Sequence, residues 1–206
     1  MVAVRKQPFI TPQDYLRQER EATLKSEYID GQVYAMSGAS RQHNRITIDV
    51  ATLINVQLRN GPCELFANDM RVKVNDSRLY TYPDVVVACG EARFEDAALD
   101  TLLNPTLIIE VLSESTEKYD RGKKFAHYQR IETLQEYVLI SQDEVRIECY
   151  TRQADNRWTL NIVTSLTEEM PLVSIECVLP LAEVYARVRF ELEETAETTL
   201  DASEHR

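Results

Sequence analysis

Two short apolar runs each carry a carboxylate where a strand interior is expected: TYPDVVVAC (81–89) holds Asp84 after Pro83, and TLIIEVLSEST (106–116) holds Glu110. Runs this rich in β-branched and aliphatic residues belong inside a sheet rather than on a solvated face. A carboxylate placed there loses its hydration, and burial disfavours its charged form unless a positive partner comes close. Any fold the chain adopts must supply that partner. Two acids that converge at a sheet edge or at strand ends are best satisfied by a bound divalent cation, and a stretch with two lysines, YDRGKKFAHYQRI (119–131), follows closely.

The flanking elements read in order. Thr11-Pro12-Gln13-Asp14 is a helix start, with threonine as cap and proline at the first helical position, and the helix should reach about Glu21. SEYI and QVYAM flank Asp30-Gly31, the two-residue hairpin signature. A longer helix is expected over about 41–59, capped by the Ser37-Gly38-Ala39-Ser40 break, with Ile46, Val50, Leu53, Ile54 and Leu58 at helical spacing and Gly61-Pro62 ending it. Strands follow at about 63–67, 70–75 and 81–88, then the Glu110 strand ending near Leu112. After it comes a helix capped by Ser115 or Thr116 and carrying Tyr119, Phe125, Tyr128 and Ile131. Late strands are expected at QEYVLIS, EVRIECYT, RWTLNIVT and PLVSIE, with a last short helix over 181–188. This order predicts an α/β fold with a mixed central sheet flanked by helices.

At 206 residues the chain can bury a substantial core, expected as one domain over 1–190; the acidic stretch 191–206, nearly without apolar anchors after Leu192, is expected to be disordered. No run approaches the ~20 apolar residues of a membrane span, and MVAVRKQPFITP lacks the apolar core of a secretory signal, so a cytoplasmic protein is expected. Cys63, Cys89, Cys149 and Cys177 are scattered with no C-x-x-C pair, and read as reduced small hydrophobes rather than zinc ligands or a disulfide framework. The net charge of −11 argues against a general nucleic-acid binder. Contact with a polynucleotide would need a local basic surface. Arg41 and Arg45 on the long helix, with Lys118, Arg121, Lys123, Lys124 and Arg130 after the second acid, could form one. The same residues could equally be solvated helix faces paired with Glu114, Glu117 and Glu132.

Taken in order, EYIDG (27–31), His43-Asn44, TYPDVVV, LIIEVLSEST, YDRGKKFAHYQRI and LQEYVLI resemble the endonucleases of the Uma-two type, within the PD-(D/E)XK restriction-endonuclease-like superfamily; the likeness spans about residues 11–142. The resemblance implies a restriction-endonuclease-like fold, Mg²⁺ as cofactor with Mn²⁺ as a substitute, and DNA as substrate. It also implies a homodimer, since two subunits would be needed to cut both strands at once. One departure stands out: the superfamily lysine two residues after the second acid is Leu112 here. The Uma-two type is similar in lacking it, and its D-x-x-x-K-x-x-x-Y spacing on the next helix implies Lys124, with Lys123 as the other candidate. Asp120, Lys124 and Tyr128 are spaced by four and so share one helical face, while Lys123 falls one position around.

The roles follow. Asp84 and Glu110 would hold the metal, with the Val111 carbonyl as a third ligand, because a hard cation takes oxygen donors and keeps several waters. Lys124 would serve the attacking water or the transition-state charge, and Glu27, beside the hairpin, would assist. His43, Arg41, Lys123 and Tyr128 are candidates for substrate contact. Each has a plainer reading: a capped strand end or arginine pair for Asp84, a buried salt bridge to Lys124 for Glu110, a cross-strand charge for Glu27, and packing for His43 and Tyr128. The function implied is a Mg²⁺-dependent endonuclease. The alternatives are a catalytically inactive nuclease-fold binding or regulatory protein, and a hydrolase of a smaller phosphodiester.

Overall fold

A computed structural model describes residues 9–74 and 78–190; the tail expected over 191–206 lies outside them. Thr11 caps α1 (Pro12–Glu21) by accepting a hydrogen bond from the Asp14 amide at 3.2 Å. Asp30-Gly31 turns β1 (Ser26–Ile29) into β2 (Gln32–Ala35), and both turn residues have positive φ, 47° and 88°, as a tight Asp-Gly hairpin requires. The positive φ favours glycine at Gly31, and a Cβ there, 2.2 Å from the Phe9 ring, would also push that exposed ring aside. Ser40 caps α2 (Arg41–Leu58) at the His43 amide.

Six strands follow: β3 (Cys63–Ala67), β4 (Arg71–Val74), β5 (Leu79–Thr81), β6 (Val85–Cys89), β7 (Thr101–Leu102) and β8 (Leu107–Leu112). The next segment is helical but irregular: α3 (Glu117–Tyr119), a π-helical turn (Asp120–Lys124) and α4 (Phe125–Tyr128). Then come β9 (Glu136–Ser141), β10 (Ile147–Arg152), β11 (Trp158–Val163), β12 (Glu169–Leu172), β13 (Cys177–Pro180) and α5 (Leu181–Val184). The central sheet has the order β11-β10-β9-β8-β6-β3, with β8 and β9 parallel and the other neighbours antiparallel. A second sheet has the order β2-β1-β5-β4-β7, and β12 pairs with β13 in a separate ribbon.

Alternation along the central strands divides the core. Val85, Val87, Leu107, Ile109, Val111, Val138 and Ile140 pack against Ile46, Val50, Ile54 and Leu58 of α2. Their neighbours Val86, Ile108, Leu112, Tyr137 and Leu139 face the other way, onto Val72, Val74 and Leu79 of the second sheet and onto Tyr128 and Ile131. Tyr15 and Leu16 of α1 cover the far side of the second sheet at Tyr28 and Tyr80. The expected mixed sheet is present, but one of its faces is covered largely by another sheet rather than by helices alone.

Four expectations need correction. The run read as one strand over 81–88 is two, because β5 and β6 belong to different sheets; Pro83 has no amide proton to donate to a ladder, and Tyr82-Pro83-Asp84 forms the crossing between them. The helix expected after Thr116 is continuous from Glu117 to Tyr128 but widens to a π turn at Asp120–Lys124 and ends before Ile131. The strand β13 was not anticipated. Cys63 and Cys89, read as free thiols, face each other in the β3–β6 register and are joined by a disulfide; residues 26 apart become neighbours only through strand pairing. Cys149 and Cys177 are buried and free, as expected.

A charge cluster ties α1 to the second sheet. Arg20 lies 2.8 Å from both Asp96 and Asp100, and buried Arg71 lies 3.0 Å from Asp100. Hydrogen bonds from Arg20, with the charge of Arg71, hold the Asp100 carboxyl well below the usual carboxylate range despite its partial burial. A depressed pKa contributes stability above the unfolded-state value, near pH 4, and that contribution is lost as pH falls through the folded-state value. Asp100→Ala should therefore cost about 1–3 kcal/mol at pH 7, where it leaves Arg71 buried without its counter-charge. In urea titrations the gap to the unaltered protein should narrow at pH 3. A gap that is the same at both pH values would show that the ion pair is not the source of the effect.

Candidate active site

The two sheets face each other, and period-two alternation decides which side chains meet between them. Glu110 lies between Ile108 and Leu112 on β8 and so shares their face, toward the second sheet. Glu27 shares the face of Ile29 on β1, and Thr81 that of Leu79 on β5. The π turn brings Lys124 into the gap between them. Its Nζ lies 2.9 Å from Glu110 Oε1, 3.2 Å from Glu27 Oε1 and 3.4 Å from Asp120 Oδ1. The Tyr128 hydroxyl donates to Glu110 Oε1 at 2.9 Å, and Thr81 donates to Glu27. The shared face of Asp120, Lys124 and Tyr128 is thus the buried one, and Lys123 points to solvent.

One ammonium here serves three carboxylates. Burial pushes Glu110 up to about 8, and the charges of Asp120 and Asp84 add to that, with Lys124 opposing. Burial likewise raises Asp120. Burial works against the charge on Lys124, but the surrounding groups, Glu110 foremost, outweigh it and hold the lysine well above its usual value. The site is net negative and under-compensated.

Asp84 stands at the sheet crossing. Its Oδ2 accepts from the Val111 amide at 2.8 Å and lies 3.2 Å from His43 Nε2. Burial disfavours the His43 imidazolium, yet the hydrogen bond and charge of Asp84, together with the Val111 carbonyl, raise its pKa. So His43 sits against two of the groups assigned to the metal from sequence, Asp84 and the Val111 carbonyl. Among the described residues, Asp84 Oδ1 and Glu110 Oε2 have no protein partner. The acids open on a cleft of about 930 Å³ whose lining includes Glu27, His43, Asp84, Glu110, Asp120 and Lys124.

The basic residues are less convergent. Arg45 is held by Asp49 on its own helix, and Arg121 by Glu117 and Glu148 at 2.7 and 2.5 Å, which is the plainer reading of that patch. Arg41 and Lys123 are exposed. Sequence reasoning missed the part of Thr81, which no motif marks, and gave Asp120 only as a face-mate of Lys124. Among the described residues no three His, Cys, Asp or Glu side chains form a ready metal-ligand group. The chemistry on offer is two carboxylates with a free oxygen each, beside a charged lysine.

A mixed sheet with acids at a strand crossing and on the adjoining strand, and a buried lysine facing them, is the framework of a restriction-endonuclease-like fold. The chain belongs to the Uma2 family, whose description is "Putative restriction endonuclease" and whose profile matches residues 12–182. It is 39% identical to the uncharacterized protein sll1609 of Synechocystis sp. over 78% of this chain and 90% of that one. It is 35% identical to the uncharacterized protein slr1290 of the same organism over 89% of this chain and 95% of that one. A crystal structure described as a putative nuclease belonging to DUF820, from Anabaena variabilis, superposes with a TM-score of 0.71 at 21% identity, covering 86% of this chain and 98% of that one, and shares the fold.

The raised Glu110 pKa fixes the sign of a stability effect. A group raised on folding contributes stability below its unfolded-state pKa, near 4.3, and that is lost as pH rises through about 8. Glu110→Gln removes this loss, so without divalent metal it should be more stable than the unaltered protein at pH 8, by up to ~5 kcal/mol. At pH 5 the two should nearly coincide. Melting curves between pH 5 and 9 in EDTA test this; a parallel pH dependence in both proteins would mean that Glu110 is not desolvated.

Proposed function

We propose that the chain is a Mg²⁺-dependent endonuclease acting on DNA, with Mn²⁺ able to replace Mg²⁺. The observation that carries the reading is the buried Lys124 held among Glu110, Glu27 and Asp120 at the floor of an open cleft. A scaffold has no use for an under-compensated charge cluster at that place, since one cation among three acids destabilises the fold that contains it. The donor set fits a hard divalent cation: among the described residues Asp84 Oδ1 and Glu110 Oε2 are free of protein partners, and the Val111 carbonyl is a third oxygen close by. When bound, the cation supplies positive charge to the phosphate and favours ionisation of water.

The protein's own groups divide the remaining work. Lys124, charged and aimed into the cleft, stabilises the negative charge that builds on the phosphate during attack. Glu27 holds the second side of that ammonium and so fixes its direction, while Tyr128 holds Glu110 Oε1 and leaves the other oxygen for the cation. His43 is engaged by Asp84 and borders the substrate path, while Arg41 and Lys123, exposed outside the cleft lining, are left for phosphates further along the strand. A homodimer would bring two such sites to one DNA molecule.

A second reading, an inactive nuclease-fold binding protein, is favoured by one observation: several basic side chains near the cleft are neutralised by neighbours of their own chain. Heating with Mn²⁺ separates the two, because a ligand of the native state raises the melting midpoint by mass action. The nuclease reading expects a midpoint rise with Mn²⁺ that Asp84→Ala and Glu110→Ala abolish. It also expects metal-dependent cleavage of DNA that Asp84→Ala, Glu110→Ala and Lys124→Ala each reduce by about 100-fold or more. Purified protein that cuts no nucleic acid in Mg²⁺ or Mn²⁺, with a midpoint indifferent to metal, would leave the binding reading.

A further inference from the structure

Tyr34 lies in β2, on the strand edge of the second sheet, and it is 54% exposed although it lines the cleft. In the hairpin register it stands directly opposite Glu27, so the two side chains leave the same face as close neighbours. Glu27 in turn touches Lys124 at 3.2 Å, and Lys124 touches Glu110 at 2.9 Å. An exposed aromatic ring therefore sits one side chain away from the reactive end of the cleft. Leu24, 74% exposed, lines the same rim. Nothing in the packing of the hairpin requires a ring at that position: the buried residues of its two strands are Ser26 and Tyr28, on the opposite face.

Charge narrows what such a rim can hold. Duplex DNA is gripped by cations set along two phosphate backbones. Here the rim lysine Lys25 is tied to Asp69 at 3.0 Å and to the Asn68 carbonyl, Lys124 is buried among acids, and the whole chain carries −11. A cleft poor in free cations and supplied with an exposed ring suits a ligand held by the faces of its bases, and only an unpaired base offers its face.

We infer that the cleft takes single-stranded or locally unpaired DNA, and that Tyr34 is the platform on which a base next to the scissile phosphate stacks. The inference rests on the nuclease reading for its scissile phosphate, but the stacking itself is a binding property and can be measured apart from cleavage. A stacked base whose platform is removed loses binding by about 5- to 100-fold, and a phenylalanine ring replaces tyrosine in stacking.

The test uses the full chain unaltered, with Tyr34→Ala and with Tyr34→Phe, titrated into an end-labelled 12-nucleotide single strand and into its duplex, followed by fluorescence anisotropy. The same oligonucleotides are then incubated with Mn²⁺ and their cleavage followed. The expected result is preference for the single strand, a 5- to 100-fold weaker Kd for Tyr34→Ala with the single strand but not with the duplex, and near-normal binding by Tyr34→Phe. Duplex preference by the unaltered protein, normal single-strand binding by Tyr34→Ala, or a Tyr34→Phe defect as large as that of alanine would each overturn the inference. Intact single-strand binding that depends on the Tyr34 ring, without any cleavage in Mn²⁺, would leave it standing and remove the nuclease reading instead. A protein that binds neither form overturns both.

Discussion

A lysine ammonium buried with too many acids is a demand on everything around it. Lys124 can stay charged at 5% exposure only because Glu110, Glu27 and Asp120 surround it, and those acids can be ionised only in so far as the lysine is there. Each comes from a different place: Glu110 from the central sheet, Glu27 from the second sheet, Asp120 and Lys124 from the helical segment. The electrostatic balance thus links the three bodies that enclose the cleft. Apolar packing then locks that arrangement, with Tyr128 and Tyr137 fully buried and stacked edge to face beneath the cluster. Non-directional burial alone would bring the sheets together without fixing which acid meets the lysine; the hydrogen bonds supply the register.

The crossing at Tyr82-Pro83-Asp84 is the second organising feature. A chain leaving β5 of one sheet for β6 of the other must give up ladder pairing for a few residues, and the Val111 amide and His43 then satisfy the carboxylate exposed there. Tyr82 turns the same gap to structural use, since its hydroxyl meets both Arg71 and Glu19 and so reaches α1. One short irregular stretch therefore presents Asp84 to the cleft on one side and fastens the first helix on the other.

Much of this was legible in the residues because local rules and tertiary demands agree. Thr11, Ser40 and Asp30-Gly31 do what caps and hairpin turns do anywhere. The apolar runs around Asp84 and Glu110 announced buried strands, and the four-residue spacing of Asp120, Lys124 and Tyr128 announced a shared face. The failures at the site and in the sheets share a cause: they depend on a partner distant in sequence. Thr81 matters because β5 lies beside β1, and the cysteine pair because β3 lies beside β6. The division of 81–88 between two sheets cannot be read from a hydrophobic run, since both halves are equally buried. Neutralisation of Arg121 by Glu148 is likewise invisible until β10 is placed under the helix.

The π turn from Asp120 to Lys124 changes how this segment responds to alteration of its length. A π turn holds one residue more than the α-helix would at the same place, and such turns gather where a side chain must be re-aimed. Removing one residue, Gly122 for example, whose surroundings are open, would let the helix become regular and improve its own hydrogen bonding. Because the extra residue is held within the turn, the flanking pieces would keep their relative orientation, and Lys124 would become the third rather than the fourth residue after Asp120, still on one helical face. In this stretch the loss of one residue is absorbed by closing the π turn, so length on the short side is under looser constraint than the identity of Asp120, Lys124 and Tyr128.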